Sequence, residues 1–209
     1  MNTIEKTATR IYSETAKLYA EIEPQLNGTA HGYKVLYGPP LRRPPIFFLG
    51  LQAGGVAQGE RGNEQESWPV VTEYAVANWA LAQKLRDIYD VEFLKTCTGT
   101  NINFFRAPND AIYRATVPAN LRERCETFSR DRAEQLLKTI NPYKIVVIGF
   151  DVLKKLNVDR QFVRTEAGLK RGDLWGYPTI AVWHLTGMHM TNEQREVIRR
   201  ALRSFAGMR

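Results

Sequence analysis

Apolar residues along the chain follow two periodicities in alternation, and this alternation predicts a sheet covered by helices. Short runs that are apolar throughout are typical of strands buried on both faces. The predicted strands are residues 46–49, 98–105, 144–149 and 179–184. The predicted helices are residues 3–23, 69–88, 118–140 and a last one that starts near Thr191. Strands that alternate with helices indicate a parallel sheet with helices on both faces.

Each predicted helix carries one apolar stripe at helical spacing. The stripe of the first comprises Ile4, Ala8, Ile11, Thr15, Leu18 and Ile22, and that of the second comprises Val70, Tyr74, Ala77, Leu81, Leu85 and Ile88. Pro24 ends the first helix, and Thr191 with Gln194 fits a capping box. We therefore predict an α/β fold: a single domain over residues 1–209 with three layers, α/β/α, a central mostly parallel sheet, and helix 3–23 packed onto it.

Composition is ordinary for a globular domain, with 44% hydrophobic and 24% charged residues in a chain of 209. No apolar run reaches the roughly 18 residues of a membrane span, and the charged N-terminal residues do not fit a secretion signal. The two cysteines do not form a disulfide framework. We expect a cytoplasmic monomer that does not associate with membranes.

The net charge is +7, from 29 basic and 22 acidic residues. A partner that carries phosphate, such as DNA, would explain the excess, because Lys and Arg release counterions from nucleic acid. A basic surface without such a partner is the alternative, because net charge bears on association and not on fold.

Several common catalytic signatures are absent from the sequence. It contains no G-x-x-x-x-G-K-[ST], G-x-G-x-x-G, G-x-S-x-G, H-E-x-x-H or C-x-x-C. We therefore expect no cofactor and no metal.

Polar side chains lie at the ends of three of the predicted strands. These stretches are GLQAGG at 50–55, TNINFFRAPN at 100–109 and HLTG at 184–187. Ligands of open α/β sheets bind at the carboxyl ends of strands. The Asn101 amide offers a donor and an acceptor in one plane, as a base edge requires. A histidine at a strand end stabilises a developing anion, and glycines let backbone approach a ligand.

In these motifs the chain resembles the uracil-DNA glycosylase superfamily, from about residue 34 to residue 203. GLQAGG stands where members carry GQDPY, GEAPG or GMNPG, and TNINFFRAPND resembles a strand asparagine followed by a C-R-P-P-x-N-like run. NPYKIVVIG resembles a family strand of the form Pkvvv-l-G, and HLTG stands where members carry an H-P-S-P loop.

The resemblance implies a pocket for a base flipped out of DNA. Gly50, Leu51 and Gln52 would position the base and the attacking water, Asn101 would read the base edge, and His184 would stabilise the leaving base. Trp68 is the candidate for stacking on the base. The candidate DNA contacts are Arg106, Thr186 and Gly187.

The departures from the family pattern narrow this expectation. Gln52 stands where the most active uracil enzymes carry a carboxylate, and an amide cannot take a proton from water. Ala53 replaces a proline, and Leu185 and Thr186 replace proline and serine. Phe105 occupies the place of a cluster cysteine, so we expect no iron–sulfur cluster. Candidate substitutes for the missing carboxylate are Glu60, Glu64, Glu66 and Asp110, with none favoured.

Two function classes follow. The first is a monofunctional DNA glycosylase that removes uracil in repair, or a bulky modified pyrimidine of the kind found in phage DNA in antiviral defence. The second is a DNA- or base-binding module that kept the fold and lost the chemistry. Gln52 favours the second class, and His184 with Asn101 favours the first. For each site residue a structural role is the alternative: a turn cap for Gln52, a backbone partner for Asn101, core packing for His184 and Trp68.

Overall fold

A computed structural model describes residues 2–26, 32–54, 65–165, 168–186 and 191–208. Within these ranges the chain forms one six-stranded sheet. Its strands are β1 (Phe47–Gly54), β2 (Thr98–Ala107), β3 (Ile145–Ile148), β4 (Val163–Arg164), β5 (Lys170–Leu174) and β6 (Tyr177–Val182).

Helices connect and cover these strands. They are α1 (Thr3–Ile22), α2 (Glu73–Val76), α3 (Ala80–Ile88), α4 (Val91–Lys95), α5 (Asp110–Thr116), α6 (Ala119–Ile140), α7 (Asp151–Lys155) and α8 (Asn192–Ala206). Short 3-10 turns occur at Glu23–Gln25 and Asp159–Gln161. Over the described parts of the chain, no helix combines the length and the apolar character that crossing a bilayer requires.

The strand order is β2-β1-β3-β6-β5-β4. The first four of these strands are parallel, whereas β5 and β4 join antiparallel at one side. The predicted α/β class with a mostly parallel sheet is therefore confirmed. The chain leaves β1 for β2 on one side and returns to β3 on the other, so a topological switch point lies at the carboxyl end of β1.

Alternate residues of the central strands face opposite helical layers. Phe48, Val146 and Ile180 share a core with Leu85 of α3 and Ile198 of α8. Phe47, Leu49 and Val147 share another core with Leu137 of α6 and Val152 of α7. Each strand is buried on both faces, which is why its sequence is apolar throughout. This arrangement confirms the three layers.

The N-terminal helix α1 packs against α6, and residues of its apolar stripe share a core with residues of α6. All six stripe residues are buried. Asn2 and Glu5 form a capping box at its start, and Pro24 lies in the 3-10 turn that follows. Ion pairs also join the two helices: the Glu14 carboxylate lies 2.6 Å from Arg132, and that of Glu21 lies 2.5 Å from Arg124.

The single helix predicted over residues 69–88 is wrong, because two helices occupy this region. Val70 is 90% exposed, and the chain is extended at Ala77 and Trp79, between α2 and α3. The Arg86 guanidinium donates to the carbonyl oxygen of Ala77 over 2.7 Å, which satisfies the end of α2. The break turns Trp79 toward Tyr74, with ring centroids 5.7 Å apart.

The hairpin between β5 and β6 is not predicted from the sequence. Leu174 pairs with Tyr177, and the two residues between them, Trp175 and Gly176, both have positive φ (55° and 87°). This is the conformation of a type I′ turn, for which Asn-Gly is the usual signal and Trp-Gly is not. The Asp173 carboxylate accepts a hydrogen bond from the Gly176 N–H over 2.8 Å.

The segment 32–37 runs along the outer edge of β2. The Lys34 N–H donates to the Phe104 carbonyl over 2.8 Å, and the Tyr37 N–H donates to the Gly99 carbonyl over 3.0 Å. Tyr33 also forms an antiparallel bridge with Phe105. These bonds hold the side chains of Lys34 and Tyr37 beside the carboxyl end of the sheet.

Candidate active site

A cavity of about 510 Å³ opens at the carboxyl ends of the parallel strands. This volume lies in the range of small-molecule sites, and the position is the switch point at which α/β sheets bind ligands. The cavity brings together most of the predicted site: Gly50, Leu51 and Gln52 from β1, Asn101 and Arg106 from β2, and His184 beyond β6.

Gly50 and Asn101 lie opposite each other in the parallel pairing of β1 and β2. The Asn101 side chain lies directly over Gly50, where a Cβ atom would overlap its Oδ1 atom. The Asn101 amide donates through Nδ2 to the Tyr37 hydroxyl over 2.7 Å. Asn101 is 5% exposed, so the amide is buried in a fixed position in the cavity wall. This hydrogen bond goes to a side chain, whereas the structural alternative for Asn101 is a bond to the backbone.

Gln52 lies within β1, which extends to Gly54, whereas the sequence predicts a loop of small residues after Gly50. The pairing with β2 is irregular between Gln52 and Gly54. Nε2 of Gln52 donates to the Phe105 carbonyl over 3.0 Å, which ties the two strands together. Oε1 is buried and accepts no hydrogen bond from the described residues. A buried acceptor left without a donor typically costs about 1–3 kcal/mol.

His184 lies two residues beyond the end of β6, with an exposed side chain that lines the cavity. The Thr186 hydroxyl lies 2.9 Å from its Nδ1 atom. Partial desolvation lowers the pKa of His184 below its usual 6.5, which favours the neutral ring at pH 7. When the hydroxyl donates to Nδ1, the neutral ring carries its proton on Nε2. Thr186, predicted as a DNA contact, therefore orients His184, and Gly187 lies outside the described residues.

The aromatic rings of the cavity are not the one predicted from the sequence. Tyr37 stacks on Tyr74 with centroids 5.4 Å apart, and Trp79 lies 5.8 Å from Tyr37. All three line the cavity, and Trp68 does not. Trp68 packs instead against Tyr12, 6.0 Å away, beside a neighbouring depression. The Tyr37 ring is engaged by Tyr74 and by Lys34, so the geometry favours Trp79 over Trp68 as a stacking surface.

Charged groups line one side of the cavity. Lys34 Nζ lies 2.5 Å from Glu73 Oε1 and 4.9 Å from the centre of the Tyr37 ring. Burial lowers the pKa of Lys34, and the Glu73 carboxylate opposes that effect. Asp110 also lines the cavity and pairs with Arg114 over 2.7 Å. Glu73 is a carboxylate that the sequence did not single out, because it lies far from every motif.

The remaining candidate carboxylates are placed differently. Glu66 lines the neighbouring depression and not the cavity, whereas Glu60 and Glu64 lie outside the described residues. Asp110 also borders a hollow of about 30 Å³ next to Gln52 and Asn103. Asp110 is therefore the predicted substitute that lines both the cavity and the small hollow together with Gln52.

Two further hollows adjoin the cavity. A shallow depression of about 580 Å³ shares Lys34, Glu73 and Arg106 with it. A cleft of about 390 Å³ lies between α3 and α8, next to Thr186. The charged residues that line this cleft are Lys84, Asp87, Arg195, Glu196 and Arg199.

Metal-binding residues do not gather in the described part of the chain, where no three His, Cys, Asp or Glu side chains are placed to share an ion. Cys97 and Cys125 are both buried, in different cores. Burial raises the pKa of each thiol to about 12, so neither is a reactive thiolate at neutral pH.

Comparison of the chain with family models and with curated proteins identifies no relative. No protein-family model matches the chain, and no curated protein matches it significantly. The functional argument therefore depends on the cavity and on the motifs that line it.

Proposed function

We propose that this protein is a monofunctional DNA glycosylase that hydrolyses the N-glycosidic bond of a flipped uracil or modified pyrimidine and leaves an abasic site. One observation carries the proposal: Gln52 on β1, Asn101 on β2 and His184 just beyond β6 meet around one cavity at the switch point of the sheet. DNA as the partner, a single-copy enzyme and a cytoplasmic location belong to the same proposal.

The base enters the cavity after its nucleotide rotates out of the duplex. The Asn101 amide then offers its donor and acceptor to the base edge, and its bond to the Tyr37 hydroxyl fixes which way the amide faces. The Trp79 ring, inclined at 60° to the Tyr37 ring, provides the face on which the base stacks. Recognition of this kind needs no metal and no cofactor.

Cleavage leaves the bond electrons on the base and a positive charge on the sugar. His184 presents its neutral Nε2–H as a donor to the base oxygen on which the negative charge develops. Because Thr186 holds the ring through Nδ1, the donor meets the anion without reorganisation. A neutral imidazole also keeps its proton, so the base leaves as an anion that is protonated later by solvent.

The attacking water is oriented by Gln52 and deprotonated by a neighbouring carboxylate. The Oε1 atom of Gln52 is shielded from solvent and lacks a donor among the described residues. A shift of this side chain when the base enters exposes Oε1, which then accepts a hydrogen bond from the water. The water oxygen forms the new bond to C1′ of the sugar, and its proton passes to Asp110, which borders the same two hollows as Gln52. Glu73 is less suited to this role because it does not border the hollow of about 30 Å³ that Gln52 and Asp110 share.

The DNA backbone follows the cleft between α3 and α8. Lys84, Arg195 and Arg199 line that cleft within reach of Thr186 and hence of the cavity mouth. With a chain charge of +7, they provide contacts to phosphate that hold the duplex without reading its sequence.

A DNA- or base-binding module without catalysis is the second candidate. Its supporting observation is that the first motif contains no carboxylate and that the Gln52 amide is already bonded to the Phe105 carbonyl. Such a module would hold the flipped base in the same cavity and release it unchanged.

Incubation with duplexes that each carry one modified base, followed by detection of abasic sites, separates the two. Abasic product from wild-type protein and its loss in His184→Ala support the enzyme. Tight binding of a modified duplex with no abasic product on any base supports the module.

A further inference from the structure

The Lys34–Glu73 ion pair separates the candidate base cavity from the depression beside it. Both residues line both hollows, together with Arg106. The Lys34 side chain is 10% exposed and that of Glu73 is 25% exposed, so the pair is largely withdrawn from water but still faces the two hollows. It lies next to Tyr37, whose hydroxyl accepts the hydrogen bond from Asn101.

We propose that the Lys34–Glu73 pair selects a flipped pyrimidine that carries a hydroxyl-bearing substituent, by forming hydrogen bonds to that substituent. This inference rests on the proposed function, because it assumes that the flipped base occupies the cavity beside Asn101. The pair would be a specificity determinant and would not take part in bond cleavage.

The hydrogen-bonding capacity of the pair supports this selection. A lysine has three N–H donors, and the bond to Glu73 Oε1 uses one of them. The second carboxylate oxygen of Glu73 is an acceptor. A hydroxyl group both donates and accepts, so it matches a wall that presents an ammonium and a carboxylate side by side.

An unsubstituted base fits the same wall poorly. The ring edge of uracil or the methyl group of thymine would cover the two charges, remove their remaining water and return no hydrogen bond. A site built to hydrogen-bond a substrate hydroxyl discriminates strongly against the analogue that lacks it, because the polar groups of the site are then left unpaired. The wall therefore favours substituted bases over plain ones.

The depression beyond the pair provides space for a larger substituent. It measures about 580 Å³, and Gln65, Ser67 and Trp68 form its other side. A sugar attached through a hydroxymethyl group would pass the ion pair and lie in this depression. The pair thus contacts the linking oxygen or the hydroxyls next to the ring, and the ring itself stays beside Asn101.

A purely structural role for the pair makes a different prediction. The bond would then tie segment 32–37 to the start of α2, and its loss would lower stability without changing the choice of base. The chain offers a matched control in Lys170 and Asp159, which are also 2.5 Å apart, with side chains 17% and 32% exposed. Neither control residue lines the cavity or the depression.

The test measures binding to duplexes that contain one non-cleavable 2′-fluoroarabino nucleotide. The base at that position is uracil, thymine, 5-hydroxymethyluracil or its glucosylated form, with a parallel cytosine series. We expect wild-type protein to bind the hydroxyl-bearing duplexes roughly tenfold to hundredfold more tightly than the matched methyl duplex, as one or two bonds to charged groups provide. Lys34→Met and Glu73→Gln should abolish this preference, and Lys170→Met and Asp159→Asn should keep it.

The outcomes separate this inference from the proposed function. Equal wild-type affinity for hydroxymethyl and methyl bases overturns the inference, as does a preference that survives in Glu73→Gln, which keeps side-chain size and guards against misfolding of Lys34→Met. Abasic-site formation is measured separately on cleavable duplexes. The absence of abasic sites on every base counts against the enzyme. The ratio of affinities for hydroxymethyl and methyl duplexes still tests whether the Lys34–Glu73 pair selects the base.

Discussion

The Oδ1 atom of Asn101 occupies the space in which a Cβ atom on residue 50 would lie. Glycine at position 50 therefore allows Asn101 to lie flat across the floor of the cavity and to reach the Tyr37 hydroxyl. We expect Gly50→Ala to push the Asn101 amide aside and to reduce cleavage roughly 100-fold, the scale of a misplacement of about 1 Å. Cleavage by Gly50→Ala, Asn101→Ala and the double variant is the measurement.

The two substitutions should not add, because both remove the same positioned amide. If the fold reduction in cleavage of the double variant equals the product of the two single-variant reductions, Gly50 acts independently of Asn101. Gly54→Ala is the steric control for folding, because a methyl group there meets nothing within 4 Å among the described residues. Its thermal unfolding should match that of the wild type.

His184→Ala should lower the single-turnover cleavage rate by roughly two to three orders of magnitude, the usual effect of removing one donor from a developing anion. DNA binding should persist, because the proposed phosphate contacts are in the cleft between α3 and α8. Thr186→Val keeps the shape of the side chain and removes the hydroxyl that orients the ring, so it should cause a smaller loss. A wild-type rate in His184→Ala would place the chemistry elsewhere.

The lowered pKa of His184 predicts a pH dependence of stability with a definite sign. Above pH 6.5 the ring is neutral in the folded and the unfolded protein. As the pH falls below 6.5, the unfolded chain binds a proton before the folded one does, so folded stability decreases until the folded pKa is reached. Wild-type protein should therefore lose stability relative to His184→Asn between pH 7.5 and pH 5. A difference that is constant over this range would contradict the assignment.

Substitutions of Gln52 separate its structural bond from its role toward water. Gln52→Ala and Gln52→Asp both lose the donor to the Phe105 carbonyl, so each should unfold with about 1–2 kcal/mol less free energy than wild type. Their activities should diverge. Gln52→Ala slows cleavage because the water is no longer oriented, whereas Gln52→Asp supplies a base and should maintain or raise cleavage of unmodified uracil. Equal losses in both would assign Gln52 a structural role alone.

DNA affinity should fall steeply with salt and should not depend on sequence. Arg195→Ala and Lys84→Ala, which alter the cleft beside Thr186, should each reduce the slope of log affinity against log salt by about one. Arg124→Ala, on α6 in the opposite layer and paired with Glu21, is the control and should leave the slope unchanged. Titrations between low and moderate salt give the slopes, and a flat wild-type slope would argue against DNA.

The sheet and its helices were predictable because their signals are local. Buried parallel strands read as short apolar runs, and α1 and α6 each carry a stripe long enough to identify. The break between α2 and α3 was not predictable, because the Arg86 side chain satisfies the end of α2 and Trp79 packs on a ring from segment 32–37. Both are contacts made only after folding.

The same distinction divides the site. Gln52, Asn101 and His184 were predictable because each belongs to a polar stretch in or just after an apolar strand, and such stretches of parallel strands lie near one another. Tyr37, Glu73 and Trp79 were missed because no motif marks them and three separate segments bring them to the cavity. Trp68 was chosen for its residue type and its nearness to the first motif in sequence, and its packing against Tyr12 places it outside the cavity.

Segment 32–37 occupies the outer edge of β2, which would otherwise present unpaired backbone groups to another chain. The opposite edge of the sheet is formed by β4, only two residues long. The segment that keeps the long edge from recruiting foreign strands is also the one that carries Lys34 and Tyr37 into the cavity. Substitutions in segment 32–37 that change ligand choice therefore also affect resistance to aggregation. Both ligand binding and aggregation should be measured for variants of this segment.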